Sequence, residues 1–316
     1  FFANSGSEAN DTVIRMARHY WHVRGKPKKH KFIGRHLGYH GSTLAATSLG
    51  GMKHMHDMGS SMLPGFEHIM EPHWYAHGGN MSPEEFGLRA AHALEEKILE
   101  VGADNIAAFI GEPIQGAGGV IAPPPNYWPE IQKICRKHDI LLVSDEVICG
   151  FGRLGEWFGC QHYGVQPETI NEGGPISHGY TYSGHPVACA VANANINIIE
   201  REGLVDRVKN DVGPYLHARL QQLFNEHAII GEVRGAGLIA GLQLIKSREA
   251  CEHFTAEDNA ANICRDICLD KGLIMRAVGQ AMVICPPLTI THAEIDELID
   301  IASAGLSETA ARLGVA

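Results

Sequence analysis

Two short apolar runs, each ending on an acid, constrain this chain most. Ile106–Ile110 leads into Glu112-Pro113, and Ile140–Val143 leads into Ser144-Asp145-Glu146. Neither run alternates, so each reads as a strand covered on both faces. The stretch between them, Tyr127 to Lys137, carries a helical pattern. Strand, helix and strand in that order predict a β-α-β unit and a parallel sheet. Ligands of such sheets sit beyond the carboxyl ends of the strands. Glu112 and Asp145 fall there, and so does the turn Ser5–Ser7 after Phe1–Ala3, which reads as a strand end.

Further elements follow from pattern. Ala9, Val13, Met16, Ala17 and Tyr20 predict one helical face, and Lys31 to Gly34 a short strand. Gly50 to Asn80, rich in Gly, Met, His and Pro, predicts a long loop. Ser82-Pro83-Glu84-Glu85 starts a helix that ends at Gly102, with a Ser cap, Pro at the first position and acids in the first turn. His185–Ile199 and Leu204–Phe224 are helical, the second interrupted near Gly213-Pro214. From about Gly231 the texture changes. Val233–Leu244 predicts strands with Gly bends, Asn259–Lys271 a helix, Leu273–Met275 a strand, and Thr291 with Glu294 a capping box. The expected division is a large domain over 1–200, then a linking helix and a smaller α/β domain over 201–316.

Composition excludes several functions. The chain carries 26 basic and 36 acidic residues, a net charge of −10, with no extended Lys/Arg block, so no nucleic-acid partner is expected. Lys26 to Lys31, broken by Pro27, reads as a solvated loop. No stretch of 18 apolar residues predicts a membrane span. The eight cysteines include no C-x-x-C pair, and Cys264 and Cys268 read as buried thiols, which suits a reducing, cytoplasmic compartment. Nineteen histidines lack H-E-x-x-H or other ligand spacing, so no metal is expected. Phe1-Phe2-Ala3 is not a signal peptide, and an N-terminal segment is expected to precede it.

Three features carry chemistry. Ser5-Gly6-Ser7-Glu8-Ala9-Asn10 puts two hydroxyls and a flexible backbone at a helix N-terminus, as a phosphate site or simply a capped helix. Asp145 could bind Mg²⁺ in a nucleotide hydrolase, but the partner G-x-x-x-x-G-K-[ST] loop is absent. It could instead pair with a cationic ring nitrogen, or cap the next loop. Arg276, after Ile274-Met275, could clamp a carboxylate or make a surface ion pair.

Five motifs come in one order: Ser5–Asn10, Gly38-Tyr39-His40-Gly41-Ser42, Glu112-Pro113-Ile114-Gln115-Gly116, Asp145-Glu146-Val147 with Gly150–Arg153, and Thr181-Tyr182-Ser183-Gly184-His185-Pro186. Together they resemble the class III, fold type I aminotransferases, which use pyridoxal 5′-phosphate. Tyr127–Pro129, Glu156–Gly159 and Pro286–Leu288 look most like the ω-amine:pyruvate branch, and within it the polyamine (putrescine)–pyruvate enzymes.

The resemblance implies a mostly parallel sheet in a large domain, with a smaller C-terminal α/β domain. It also implies transfer of an amino group from a primary amine to pyruvate. Gly6 and Ser7 would hold the cofactor phosphate. Tyr39 and Val147 would cover the two ring faces, and His40 would join the cofactor contacts. Asp145 would keep the ring nitrogen protonated, with Glu112 in the polar network beside it. Thr181 would reach the phosphate of the neighbouring subunit in a homodimer with shared sites, or a tetramer. Arg276 would bind the keto-acid carboxylate. Ornithine- and γ-aminobutyrate-type relatives carry a second Glu where this chain has Ala117, which favours a pyruvate-using amine transaminase. The family also implies a Schiff-base lysine, yet no lysine occurs from His138 through Val208. It is expected in a segment of roughly 30 residues between Ile170 and Asn171, absent from this sequence. The competing readings are a lysine-less cofactor-binding pseudoenzyme, and a racemase or aminomutase of the same fold type.

Overall fold

The computed structural model describes residues 1–58, 62–168 and 177–315. These residues form two compact units. The first comprises Phe1–Gly118, Pro123–Ile148 and Cys160–Ile199; the second comprises Gly119–Ala122, Cys149–Gly159 and Glu200–Ala316. The two excursions into the second unit lie inside the stretch expected to be wholly the large domain. Arg234 holds one of them, donating to the carbonyls of Gly119 and Val120. Arg153 holds the other, donating to the carbonyls of Leu238 and Pro286.

Among its described residues the first unit contains four strands, β1 (Lys31–Arg35), β2 (Phe66–Ile69), β3 (Ile106–Gly111) and β4 (Leu141–Ser144). They form one sheet in the order β2-β1-β3-β4, every described pairing parallel. β3 is buried at every position, as its unbroken apolar run requires. The helices Pro83–Val101 and Tyr127–Lys137 pack a core of Phe86, Leu94, Phe109 and Trp128. A second cluster, with Ile14, Trp21, Phe32 and Ile110, involves the helix Gly6–Val23. Ser82 and Glu85 form the expected capping box, and Gly102 ends that helix at positive φ.

Several expectations fail here for physical reasons. Phe1–Ala3 is not a strand, and the helix begins directly after its Ser5 cap. The buried face of that helix is rotated from the expected one: Asn10, Ile14, Ala17 and Trp21 are buried, whereas Val13, Met16 and Tyr20 are only partly so. A purely apolar stripe had left out Asn10, which is buried because it has polar partners. Gly50–Asn80 is not a featureless loop. It holds β2 and the short helices Lys53–His56 and Trp74–His77, and β2 exists through its ladder to β1, with Phe32 opposite Phe66. Lys29 is not solvated. It is 3% exposed, its ammonium donates to the carbonyls of Ala103 and Asp139, and it lies 4.6 Å from the Trp21 ring centroid.

The second unit contains β5 (Ile230–Ala236), β6 (Ile239–Ser247), β7 (Glu252–His253), β8 (Arg276–Val278) and β9 (Ala281–Ile284). They form an antiparallel sheet of order β5-β6-β9-β8, with β7 on β6. Helices Gly213–Glu226, Ala260–Asp270 and His292–Leu313 bury Leu216, Leu220, Cys264, Cys268 and Leu306 in its core. The expected interruption near Gly213-Pro214 is a π-helical turn over Val208–Val212, where Pro214 offers no N–H to the helix ladder. The strand expected at Leu273–Met275 starts at Arg276 instead, because the pairing with β9 begins there, Arg276 opposite Val283. Thr291 and Glu294 form the second capping box. Among the described residues no helix is long and apolar enough to cross a membrane.

Candidate active site

Four chain segments meet at the carboxyl ends of β1, β3 and β4. The first is the N-terminus of the helix Gly6–Val23. Ser5 caps it, its Oγ accepting the Glu8 N–H, so Gly6 and Ser7 open the helix with N–H groups that have no partner four residues back. The Ser7 Oγ accepts the Ser42 N–H at 2.9 Å, which leaves its own hydroxyl proton available to an anion. Gly41 sits at φ +130, and a Cβ there would lie 2.3 Å from the Ser7 Oγ, so glycine alone permits this approach. A Cβ on Gly6 would likewise come within 2.9 Å of Val147 Cγ2.

The second and third segments are the loops after β1 and β3, and side chains stitch them together. Glu112 Oε1 accepts the Tyr39 N–H at 3.0 Å, and its Oε2 accepts the Gly116 N–H at 3.1 Å. Gln115 donates to the His36 carbonyl, and Trp128 to the Pro113 carbonyl. The buried Arg35 guanidinium donates to the Glu112 carbonyl and lies over the rings of Trp128 and Tyr127. Burial pushes the Glu112 carboxyl above its usual value, opposed by the His40 charge and the Tyr39 N–H. Each Glu112 oxygen thus accepts a backbone N–H, which ties the Tyr39 loop to the loop after β3.

Asp145 begins where β4 ends. Its carboxylate is 8% exposed. The Asn10 amide donates to Oδ2 at 2.9 Å, and His40 Nδ1 lies 2.8 Å from the same oxygen. The Val147 N–H reaches Oδ1 at 3.2 Å. Burial alone would raise the pKa of this carboxyl, but His40, Asn10 and the Val147 N–H more than reverse that, so it stays below the usual range. An ionised carboxylate is therefore retained in a buried place, next to two exposed faces: Val147 is 69% exposed and Tyr39 39%.

The structure thus brings Gly6, Ser7, Tyr39, His40, Glu112, Asp145 and Val147 into one neighbourhood. His40 is only 3% exposed and faces Asp145. Thr181 lies exposed in the turn 181–184 of the same unit. The residue before it, Tyr180, is tied by its hydroxyl to the Glu8 carbonyl at 3.0 Å. Arg276 opens β8 in the second unit and is exposed. Ile170 and Asn171, between which the lysine is expected, lie outside the described residues. Asn10 had no assigned role from sequence. The available signal was a polar residue at the i, i+4, i+7 spacing of Ile14 and Ala17, on a buried helical face.

The arrangement fits a phosphorylated, flat, cationic ring. It combines a helix N-terminus with a spare hydroxyl donor, a buried ionised carboxylate, and an aromatic and an aliphatic face left uncovered nearby. Comparison with known proteins agrees. The family model described as aminotransferase class-III matches residues 1–173 and 168–306. The putrescine–pyruvate aminotransferase of Pseudomonas aeruginosa is 52% identical over 337 residues, covering 98% of this chain and 74% of that protein. The diaminobutyrate–2-oxoglutarate transaminase of Halomonas elongata is 39% identical over 334 residues, covering 95% of this chain and 71% of the relative. Among solved structures, the omega transaminase from Pseudomonas jessenii in complex with PMP aligns with a TM-score of 0.95 at 42% identity, over 99% of this chain and 76% of that one.

Proposed function

The chain belongs to the class-III aminotransferases, fold type I enzymes that use pyridoxal 5′-phosphate, and on that premise we propose that it moves the amino group of a primary diamine or polyamine, such as putrescine, to pyruvate. The amine leaves as an aldehyde and pyruvate becomes alanine. The observation that carries the site is the buried, ionised Asp145 carboxylate at the end of β4. When bound, the cofactor supplies a protonated pyridine that acts as an electron sink for the amine Cα.

The residues of this chain have distinct tasks in this reading. The N–H groups of Gly6 and Ser7, with the Ser7 hydroxyl, hold the phosphate. Tyr39 and Val147 cover the two ring faces and exclude water. Asp145 holds the proton on the ring nitrogen. Glu112 fixes the Tyr39 loop through its backbone. Arg276 takes the keto-acid carboxylate as a bidentate guanidinium partner. Thr181 completes the phosphate site of a second subunit, so the working unit is a homodimer. Eight cysteines, all free, support a reducing, cytoplasmic setting.

Ala117 and the 52% identity to the putrescine–pyruvate enzyme support the choice of substrates. Relatives that bear the names of γ-aminobutyrate and diaminobutyrate transaminases, at 37–40% identity, define the competing choice. The test is a panel of diamines, monoamines and amino acids, each offered with pyruvate and with 2-oxoglutarate. Alanine formed fastest from diamines is the expected result. Preference for an amino acid with 2-oxoglutarate overturns the substrate reading and leaves the family intact.

A further inference from the structure

We propose that Asn10 and His40 are positioning residues for Asp145: they hold one oxygen of its carboxylate and leave the other for the ring nitrogen of the cofactor. The inference rests on the cofactor reading above and adds two side chains to it. Asn10 Nδ2 donates to Asp145 Oδ2 and to the His40 carbonyl, each at 2.9 Å. One amide thus spans a carboxylate and the backbone of the residue beside it. His40 Nδ1 meets the same Oδ2 at 2.8 Å. An ionised carboxylate only accepts, so His40 donates from Nδ1.

The asymmetry between the oxygens is the decisive point. Oδ2 takes two side-chain donors, while among the described residues Oδ1 takes only the Val147 N–H at 3.2 Å. Oδ1 therefore retains capacity for a further donor, and a protonated ring nitrogen is one. Asn10 and His40 are 5% and 3% exposed, so both are enclosed by the fold. In this proposal His40 acts on the cofactor through Asp145, whose Oδ2 it meets.

The test uses pyridoxamine 5′-phosphate labelled with ¹⁵N in the ring, which binds without any covalent bond to lysine. Its affinity and its ring-nitrogen shift are measured for the chain and for Asn10→Leu, His40→Leu and His40→Asn. By analogy with the partners that orient metal ligands, whose loss costs roughly 10–100-fold in affinity, a fall of that order is taken as the scale. That loss is expected in both Leu variants, with the nitrogen shift moving toward the unprotonated value. His40→Asn, whose amide can donate from nearly the place of Nδ1, is expected to restore both. A merely structural role would lower the melting temperature without moving the nitrogen shift, and that result overturns the proposal. Binding and shift unchanged in both Leu variants also overturn it. If the unaltered chain fails to bind the ligand, the cofactor site itself is misread, an outcome separate from the other two.

Discussion

Oε1 of Glu112 accepts the backbone N–H of Tyr39 at 3.0 Å, across 73 residues of sequence. The bond fixes the loop after β1 to the loop after β3, and so sets where the Tyr39 ring stands. Glu112→Ala leaves the Tyr39 and Gly116 N–H groups without this acceptor, at about 1–3 kcal/mol for each that stays buried. A clear fall in melting temperature is expected. Glu112→Gln keeps one acceptor oxygen and should fall between the Ala variant and the unaltered chain. Equal melting of all three proteins would show that the bond does not hold the loops.

Asp145→Asn removes the charge assigned to the ring nitrogen. The amine half-reaction is expected to slow by at least roughly 100-fold, the scale for one preorganised electrostatic group. Stopped-flow spectra of the half-reaction read this directly, and near-normal turnover with retained cofactor refutes the role.

Asp145 and Glu112 respond to pH in opposite directions. The Asp145 carboxyl is depressed on folding, so its contribution to stability is complete above the ordinary Asp value, about 3.9, and is lost as pH falls through the folded value. The Glu112 carboxyl is raised, so its contribution is complete below the ordinary Glu value, about 4.3, and is lost as pH rises through the folded value. Urea midpoints across about pH 3 to 7 should therefore fall less steeply toward acid in Asp145→Asn than in the unaltered chain, and more steeply in Glu112→Gln. Parallel curves for all three would contradict both assignments.

Arg276→Ala separates the two substrates. A guanidinium pairs with a carboxylate through parallel hydrogen bonds, whereas a diamine has no group for it. The KM for pyruvate should rise far more than that for the amine. Equal effects on both would remove Arg276 from the keto-acid site.

The family lysine gives a chemical test. Borohydride reduction of the holoenzyme, followed by peptide mapping, is expected to place a pyridoxyl label on a lysine in a peptide that follows Ile170. The two matched segments of the family model meet at residues 168–173, where that lysine is expected. An intact mass equal to these 316 residues, with no labelled lysine, would leave a cofactor-binding chain without turnover.

What could be read in the sequence is what is decided within a few residues. Ser82 with Glu85, and Thr291 with Glu294, mark helix starts because a cap acts across one turn. Ile106–Ile110 and Ile140–Val143 mark strands because their apolar runs have no polar face to give to water; β3 is buried at every position, β4 at Leu141 and Leu142. The placement of Glu112 and Asp145 beyond those strands follows from the parallel sheet. Tertiary structure alone decided the rest. β2 is a strand because β1 lies beside it, and its four residues carry too little periodicity to announce that. Lys29 is buried because carbonyls from two distant segments reach its ammonium, against its own charge. Asn10 belongs to the site because Asp145, 135 residues away, accepts its amide. Local rules act over one turn or one strand, whereas a buried polar side chain depends on a partner that only the folded chain brings within hydrogen-bond reach.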